Sequence, residues 1–153
     1  MAVVGDEMKD FEKALAFTLK WEGYISNHKD DPGGFTIWGI SSRSYPHNVA
    51  RMKNLIDEGK KDEAFKEAKK IYYENYWKRA YCGDLTYPFN IILFDTAVNT
   101  GVGRAGKLLD GATDWEDFLL RRIAFYSKCK GAKTFLRGWV NRVISLYEYI
   151  KNT

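Results

Sequence analysis

The sequence predicts a mainly α protein carrying one small β-hairpin or turn region near residues 30–40. Three observations carry this. Apolar residues recur at helical spacing along most of the chain, and a segment rich in Gly, Pro and Asp interrupts that pattern once, between residues 23 and 40. The composition, 45% hydrophobic and 29% charged with three prolines in 153 residues, is that of an ordinary globular protein. A chain of this length buries roughly two thirds of its unfolded surface, so a core forms without a metal or disulfide. One domain over residues 1–153 is expected.

Each element follows in order. Phe11, Ala14, Leu15, Thr18 and Leu19 form one stripe of a helix over residues 7–22, and Glu22 falls at the end of that stripe. Pro32 and the Gly33-Gly34 pair then favour a loop, and Phe35-Thr36-Ile37-Trp38 alternates as a short strand ended by Gly39. Ser41 or Ser42 offers a cap ahead of a helix over 47–58 that stops near Gly59. Asp62 is placed to cap a helix over 63–78 that buries Phe65, Ala68, Ile71, Tyr72 and Tyr76. Pro88 opens a helix whose run Ile91-Ile92-Leu93-Phe94 is too apolar for a surface, while Asp95 and Asn99 share one of its faces. Gly101 and Gly103 break it before a short helix over 105–109. Thr113-x-x-Glu116 has capping-box spacing for a helix to about residue 127, and Trp139, Val143, Tyr147 and Ile150 mark a terminal helix.

Charge is uneven along the chain. The formal net charge is +4; residues 111–153 hold 8 basic and 4 acidic side chains, and the preceding residues balance at 16 and 16. Such a C-terminal excess suits an anionic partner. Dispersed charges without a reader motif argue against a nucleic-acid binder. Cys82 and Cys129 are too few for a disulfide framework, and free thiols are expected. With His28 and His47 far from both cysteines, no metal site and no cofactor are expected. The N-terminus lacks a long apolar run after a basic start, so neither a cleaved signal peptide nor a membrane span is expected, and export would use an outside route.

The chemistry concentrates in WEGYISNHKDDPGG, residues 21–34. Cleaving a glycosidic bond takes an acid that still holds its proton near neutral pH and a second group that activates water or stabilises an oxocarbenium-like state. Burial at a helix end favours the neutral form of a carboxyl group, and Glu22 has that position. Asp31 follows nine residues later on a glycine-rich turn that returns it toward the same place, and Thr36 adds a hydroxyl just beyond. A calcium loop starting at Asp30 fails, because its twelfth position is Ser41 rather than Glu. Tyr24, Trp38, Tyr45, Tyr76 and Trp77 offer flat surfaces to sugar rings, with packing as the alternative for each. Asp95 and Asn99 are candidates for hydrogen bonds at the base of a cleft.

These residues resemble glycoside hydrolase family 108, the N-acetylmuramidases of phages and bacteria. The matching elements are Glu22, Gly23, Tyr24, Asn27, Asp31, Pro32, Gly33, Gly34, Thr36 and Gly39-Ile40, then Tyr76-Trp77, the run from Phe94 through Asp95, Ala97 and Asn99 to Gly101, and Gly138-Trp139 with Asn141-Arg142. The resemblance implies a lysozyme-like fold and cleavage of the β-1,4 bond between N-acetylmuramic acid and N-acetylglucosamine. It puts the essential glutamate at Glu22, and the nine-residue Glu22-to-Asp31 spacing is also similar to the triad of phage lysozymes. The reading of the residues and the resemblance together give Glu22, Asp31 and Thr36 as catalytic candidates and Tyr24, Asn27, Trp38, Tyr76, Trp77, Asp95 and Asn99 as candidate substrate contacts, of which the family itself assigns Glu22. One departure stands out: Gly23 is single where members commonly have two glycines, which bears on Tyr24 and Asn27 more than on Glu22. The expected partner is bacterial peptidoglycan, met by a monomer without membrane insertion or a separate wall-binding domain. The alternative is a non-catalytic peptidoglycan-binding or secretion-associated protein.

Overall fold

The computed structural model describes residues 4–27 and 34–153. It is mainly helical with a small antiparallel sheet, as the sequence predicts, in the order α1 (Val4–Glu22), β1 (Ile25–Asn27), β2 (Phe35–Ile37), β3 (Ile40–Ser41), α2 (Pro46–Asp57), α3 (Lys61–Tyr72), α4 (Phe89–Thr100), α5 (Val102–Asp110), α6 (Trp115–Ser127) and α7 (Ala132–Asn152). A π-helical turn, Tyr73–Lys78, continues from α3, and a 3-10 turn, Cys82–Asp84, precedes α4. The chain forms two compact units, residues 15–75 and residues 1–14 with 76–153.

In the unit of residues 15–75, the end of α1 leads into the sheet, ordered β1-β2-β3. Pairing sets Ile25 opposite Ile37 and Ile37 opposite Ile40; the same ladders set Ser26 opposite Thr36 and Thr36 opposite Ser41. Because side chains alternate across a strand, the isoleucines share one face and the three hydroxyl residues the other. Ile37 and Ile40 are buried, each contributing about 1.5–3 kcal/mol of hydrophobic stabilisation. α2 packs against α3 and against β2 and β3, and the two helices bury Val49, Met52, Ala64, Ala68, Ile71 and Tyr72.

In the other unit, α4 is the central helix. Its residues from Asn90 to Ala97 are all buried, which explains why its sequence lacks a polar face. It packs against α5 and α6, and α6 packs against α7. Phe11, from the first half of α1, meets the Trp77 and Phe94 rings edge-on at 5.4 and 5.7 Å. Cys82 is buried and Cys129 partly so, and both are free thiols.

The N-terminal caps of three helices, α2, α3 and α6, differ from expectation. Ser41 Oγ accepts from Arg43 N and Ser44 N, both at 3.1 Å, and closes a local turn; α2 instead begins at Tyr45-Pro46, where proline has no N–H to satisfy. Asp62 sits inside the first turn of α3, where its charge suits the helix dipole, and Lys60 is the N-cap residue. At α6 the capping box is shifted by one residue. Asp114 Oδ1 accepts from Asp117 N at 2.7 Å, and Asp117 Oδ2 accepts from Thr113 N at 3.0 Å, so two aspartates satisfy the orphan donors in place of Thr113 and Glu116.

Candidate active site

The last turn of α1 delivers Glu22, and the helix stops there because Gly23 turns left-handed, φ +76°, while its N–H still bonds Leu19 O at 3.0 Å. The chain then reverses into β1. Trp38 N bonds Tyr24 O, which ties the start of β1 to the turn between β2 and β3. That turn is Trp38-Gly39, and both residues have positive φ, 48° and 80°, as a two-residue hairpin of the primed kind demands.

Gly39 brings this turn against the carboxylate. A methyl group on its α-carbon would lie 2.7 Å from Glu22 Cβ, 2.8 Å from Tyr72 Oη and 2.9 Å from Glu22 Oε2. Glu22 and the Tyr72 phenol therefore approach the same face of Gly39, and only glycine allows both. Tyr72 is buried on α3 and its hydroxyl donates to Trp38 O at 2.6 Å, which fixes the turn beside the carboxylate. The half-buried acid is thus held on rigid surroundings: a helix end, a hairpin backbone and a buried phenol. The sequence pattern assigned Tyr72 to packing; its hydroxyl, the only polar atom on a buried ring, was the available signal for a second role.

The other expected residues fall into three groups. Thr36, half-buried on the central strand, lies in register with Ser26 and Ser41, so its hydroxyl belongs to a three-residue polar row. Tyr24 is half-buried with Lys61 Nζ 4.2 Å from its ring centre, and Asn27 is exposed at the end of β1. Asp31 lies outside the described residues, as do His28, Asp30, Pro32 and Gly33.

Trp38 was expected to offer an open face to sugars, and the structure corrects this. It is 7% exposed and its ring packs on Tyr24 at 5.0 Å and Phe65 at 5.2 Å, since the positive-φ turn points the indole inward. Tyr45 Oη accepts from Asn75 Nδ2 at 3.1 Å and borders a 490 Å³ hollow between α2 and α3 whose lining does not include Glu22. Mixed charges such as Arg51, Lys66, Glu67 and Glu74 line that hollow.

In the unit containing α4, two further expectations are corrected. Trp77 is fully buried and its Nε1 donates to Glu7 Oε1 at 3.0 Å, so it is a core residue with a satisfied polar tip. Asp95 is also fully buried. Arg142 donates to it from Nε at 3.1 Å and from NH2 at 2.8 Å. Arg122 NH2 adds a charge contact at 2.7 Å rather than an aligned hydrogen bond. The reason for a carboxylate on an apolar helix is therefore its pair of arginines from α6 and α7. Asn99 is half-buried, and its Oδ1 accepts from the Tyr126 hydroxyl, whose ionisation burial pushes upward. Tyr76 is half-buried on the π-helical turn.

Among the described residues no cluster of His, Cys, Asp and Glu is arranged to hold a metal ion, and no helix is long and apolar enough to cross a membrane.

Comparison with known proteins gives one family and one fold relative. The family model described as Glycosyl hydrolase 108 matches residues 15–101, more than half of the chain and inclusive of Glu22, Thr36, Gly39 and Tyr72. The solved structure of Brucella abortus SagA is similar in fold, with a TM-score of 0.72 and 24% sequence identity over 95% of each chain. No curated protein sequence matches the chain.

Proposed function

Since the chain belongs to the glycosyl hydrolase 108 family, we propose that it is an N-acetylmuramidase: it hydrolyses the β-1,4 bond between N-acetylmuramic acid and N-acetylglucosamine in bacterial peptidoglycan, with Glu22 as proton donor to the leaving oxygen. The observation that carries this reading is the seat of Glu22, held at a helix end against the backbone of Gly39 and beside Tyr72. A general acid works when its carboxyl is fixed within reach of the scissile oxygen, and a rigid helix end packed against a hydrogen-bonded hairpin turn supports that fixity. Asp31, with Thr36, is proposed to position the attacking water or to stabilise positive charge developing on the sugar ring. Tyr24 and Asn27, on the loop that follows Glu22, are proposed sugar contacts. The protein acts as a monomer on the cell wall after export or lysis-associated release.

Mass spectrometry of digested peptidoglycan tests the bond: products ending in reducing N-acetylmuramic acid support the proposal, and products ending in reducing N-acetylglucosamine or cut only in the peptides overturn it. Glu22→Gln keeps the size and packing of the side chain and removes the proton donor, so turnover should fall by roughly 10²–10⁴ with the circular dichroism spectrum intact. A folded variant with turnover within a factor of two of the parent would sink the assignment.

A further inference from the structure

A second concave surface lies on α5 and α6, in the unit that holds neither Glu22 nor Thr36. It is a pocket of 260 Å³ bordered by four cations, Arg104 and Lys107 from α5 and Arg121 and Lys128 from α6, over an apolar floor that includes Leu108 and Phe125. No carboxylate is among the lining residues. Arg121 is partly neutralised by Asp117, 2.7 Å away on the same helix. Arg104, Lys107 and Lys128 make no salt bridge among the described residues. The Arg104 guanidinium stands 4.8 Å from the centre of the Phe125 ring, a cation–π contact that fixes its direction ahead of any ligand.

Like charges gathered round one hollow repel each other, so the free protein holds an unfavourable field that an anion would relieve. Three uncompensated cations exceed what one carboxylate needs and match a phosphate group, whose oxygens accept several charge-assisted hydrogen bonds at once. The apolar floor distinguishes the hollow from a merely wet basic surface, because it gives the carbon part of an ester somewhere to rest. Its volume lies just below the usual range of pockets for drug-sized ligands, which suits a smaller, headgroup-sized molecule. We propose that the α5–α6 pocket binds a phosphate ester, with Arg104, Lys107 and Lys128 on the phosphate and Leu108 and Phe125 beneath the attached carbons. This site is separate from hydrolysis and its binding is read without turnover, so it stands or falls independently of Glu22.

The test is an amide NMR titration of the full chain with glycerol 3-phosphate at fixed ionic strength. Saturable shifts confined to α5 and α6 are expected, unchanged in Glu22→Gln. The triple variant Arg104→Gln, Lys107→Gln, Lys128→Gln should weaken binding by roughly tenfold or more, since it removes three charge-assisted donors from one group. All three side chains are exposed, so the fold should persist; Lys107→Gln alone, with a smaller loss, serves if it does not. Changing Lys53 and Lys60, exposed lysines of the other unit, to Gln should leave the titration unaltered. Vesicles then identify the source. Sedimentation with phosphatidylglycerol but not phosphatidylcholine, lost in the triple variant, supports a lipid headgroup; glycerol 3-phosphate binding without sedimentation supports a soluble or polymer-borne ester. Shifts that rise linearly without saturating, that acetate reproduces at equal strength, or that survive the triple variant overturn the proposal. Tighter binding of a short DNA duplex through the same residues also overturns it, in favour of nucleic acid.

Discussion

Gly39→Ala is the sharpest test of how the acid is held, because a neighbouring glycine provides its own control. Gly23 and Gly39 have nearly the same left-handed backbone, φ +76° and +80°. Alanine at either incurs about 1–2 kcal/mol of backbone strain, offset in part by the lower entropy of the unfolded chain. They differ in surroundings: a methyl at Gly23 meets nothing within 4 Å, whereas at Gly39 it meets Glu22 Cβ at 2.7 Å, Tyr72 Oη at 2.8 Å and Glu22 Oε2 at 2.9 Å. Ordinary packing would need these atoms to retreat by about half an ångström or more, and overpacking of that kind adds roughly 1–3 kcal/mol. Gly39→Ala should therefore melt about 2–12 °C below Gly23→Ala in differential scanning calorimetry. Since a shift of about 1 Å in a positioned group costs up to about 10²-fold in rate, turnover on purified wall should fall by roughly 10- to 100-fold in Gly39→Ala and by less than about threefold in Gly23→Ala. Equal melting temperatures and equal rates for the two variants would refute this account of the seat.

Asp95→Asn should lower stability by about 3–5 kcal/mol, because it strips a buried arginine pair of its anion, and it should leave kcat/KM of the folded enzyme at 25 °C unchanged. Loss of kcat/KM with an unaltered melting temperature would instead return Asp95 to the substrate. Asp117 is held below the usual carboxylate range, first by the hydrogen bond from the Arg121 side chain and next by Thr113 N–H. Its folded-state pKa is the lower one, so its contribution to stability is present above the unfolded value of about 3.9 and disappears as pH falls from there through the folded value. Asp117→Asn should accordingly flatten the dependence of the urea midpoint on pH below about 4, and an unchanged acid slope would contradict this. Burial pushes the Cys82 thiol well above its ordinary range, so Ellman's reagent should modify one thiol, Cys129, in the native protein and both in denaturant; rapid native labelling of two would be inconsistent with the buried position.

Much of the helical frame was legible in the chain because its causes are local. The stripes of α1, α3 and α6 follow from the 3.6-residue period, and Gly59 and Gly101 end helices for reasons contained in their own backbone. The seat of Glu22 was legible for the same reason, as the end of a stripe. What escaped the sequence depended on partners far along the chain. Asp95 reads as a polar anomaly until Arg122 and Arg142 arrive from α6 and α7, and Trp38 reads as a strand residue until a primed turn points it inward. Tyr72 is 50 residues from Glu22, and no periodicity links a phenol to a carboxylate across that distance. The displaced capping box at Asp114 had a different cause: two overlapping matches to one pattern competed, and the aspartate pair satisfied two donors.

The buried carboxylate on α4 also bears on the order in which that unit can assemble. Arg142 reaches Asp95 across 47 residues of sequence, and Arg122 docks beside it from a second helix. Until both have come in, the most apolar helix of the protein carries a charge that a dry interior would not tolerate, so α4 gains little by collapsing early onto a neighbour. Closure of these long loops must precede the reward for making them. The arrangement disfavours half-assembled states in which α4 is packed but α6 or α7 is detached, and so couples three helices into one cooperative transition. In hydrogen-exchange terms, the amides of α4, α6 and α7 that flank these side chains should open together rather than helix by helix.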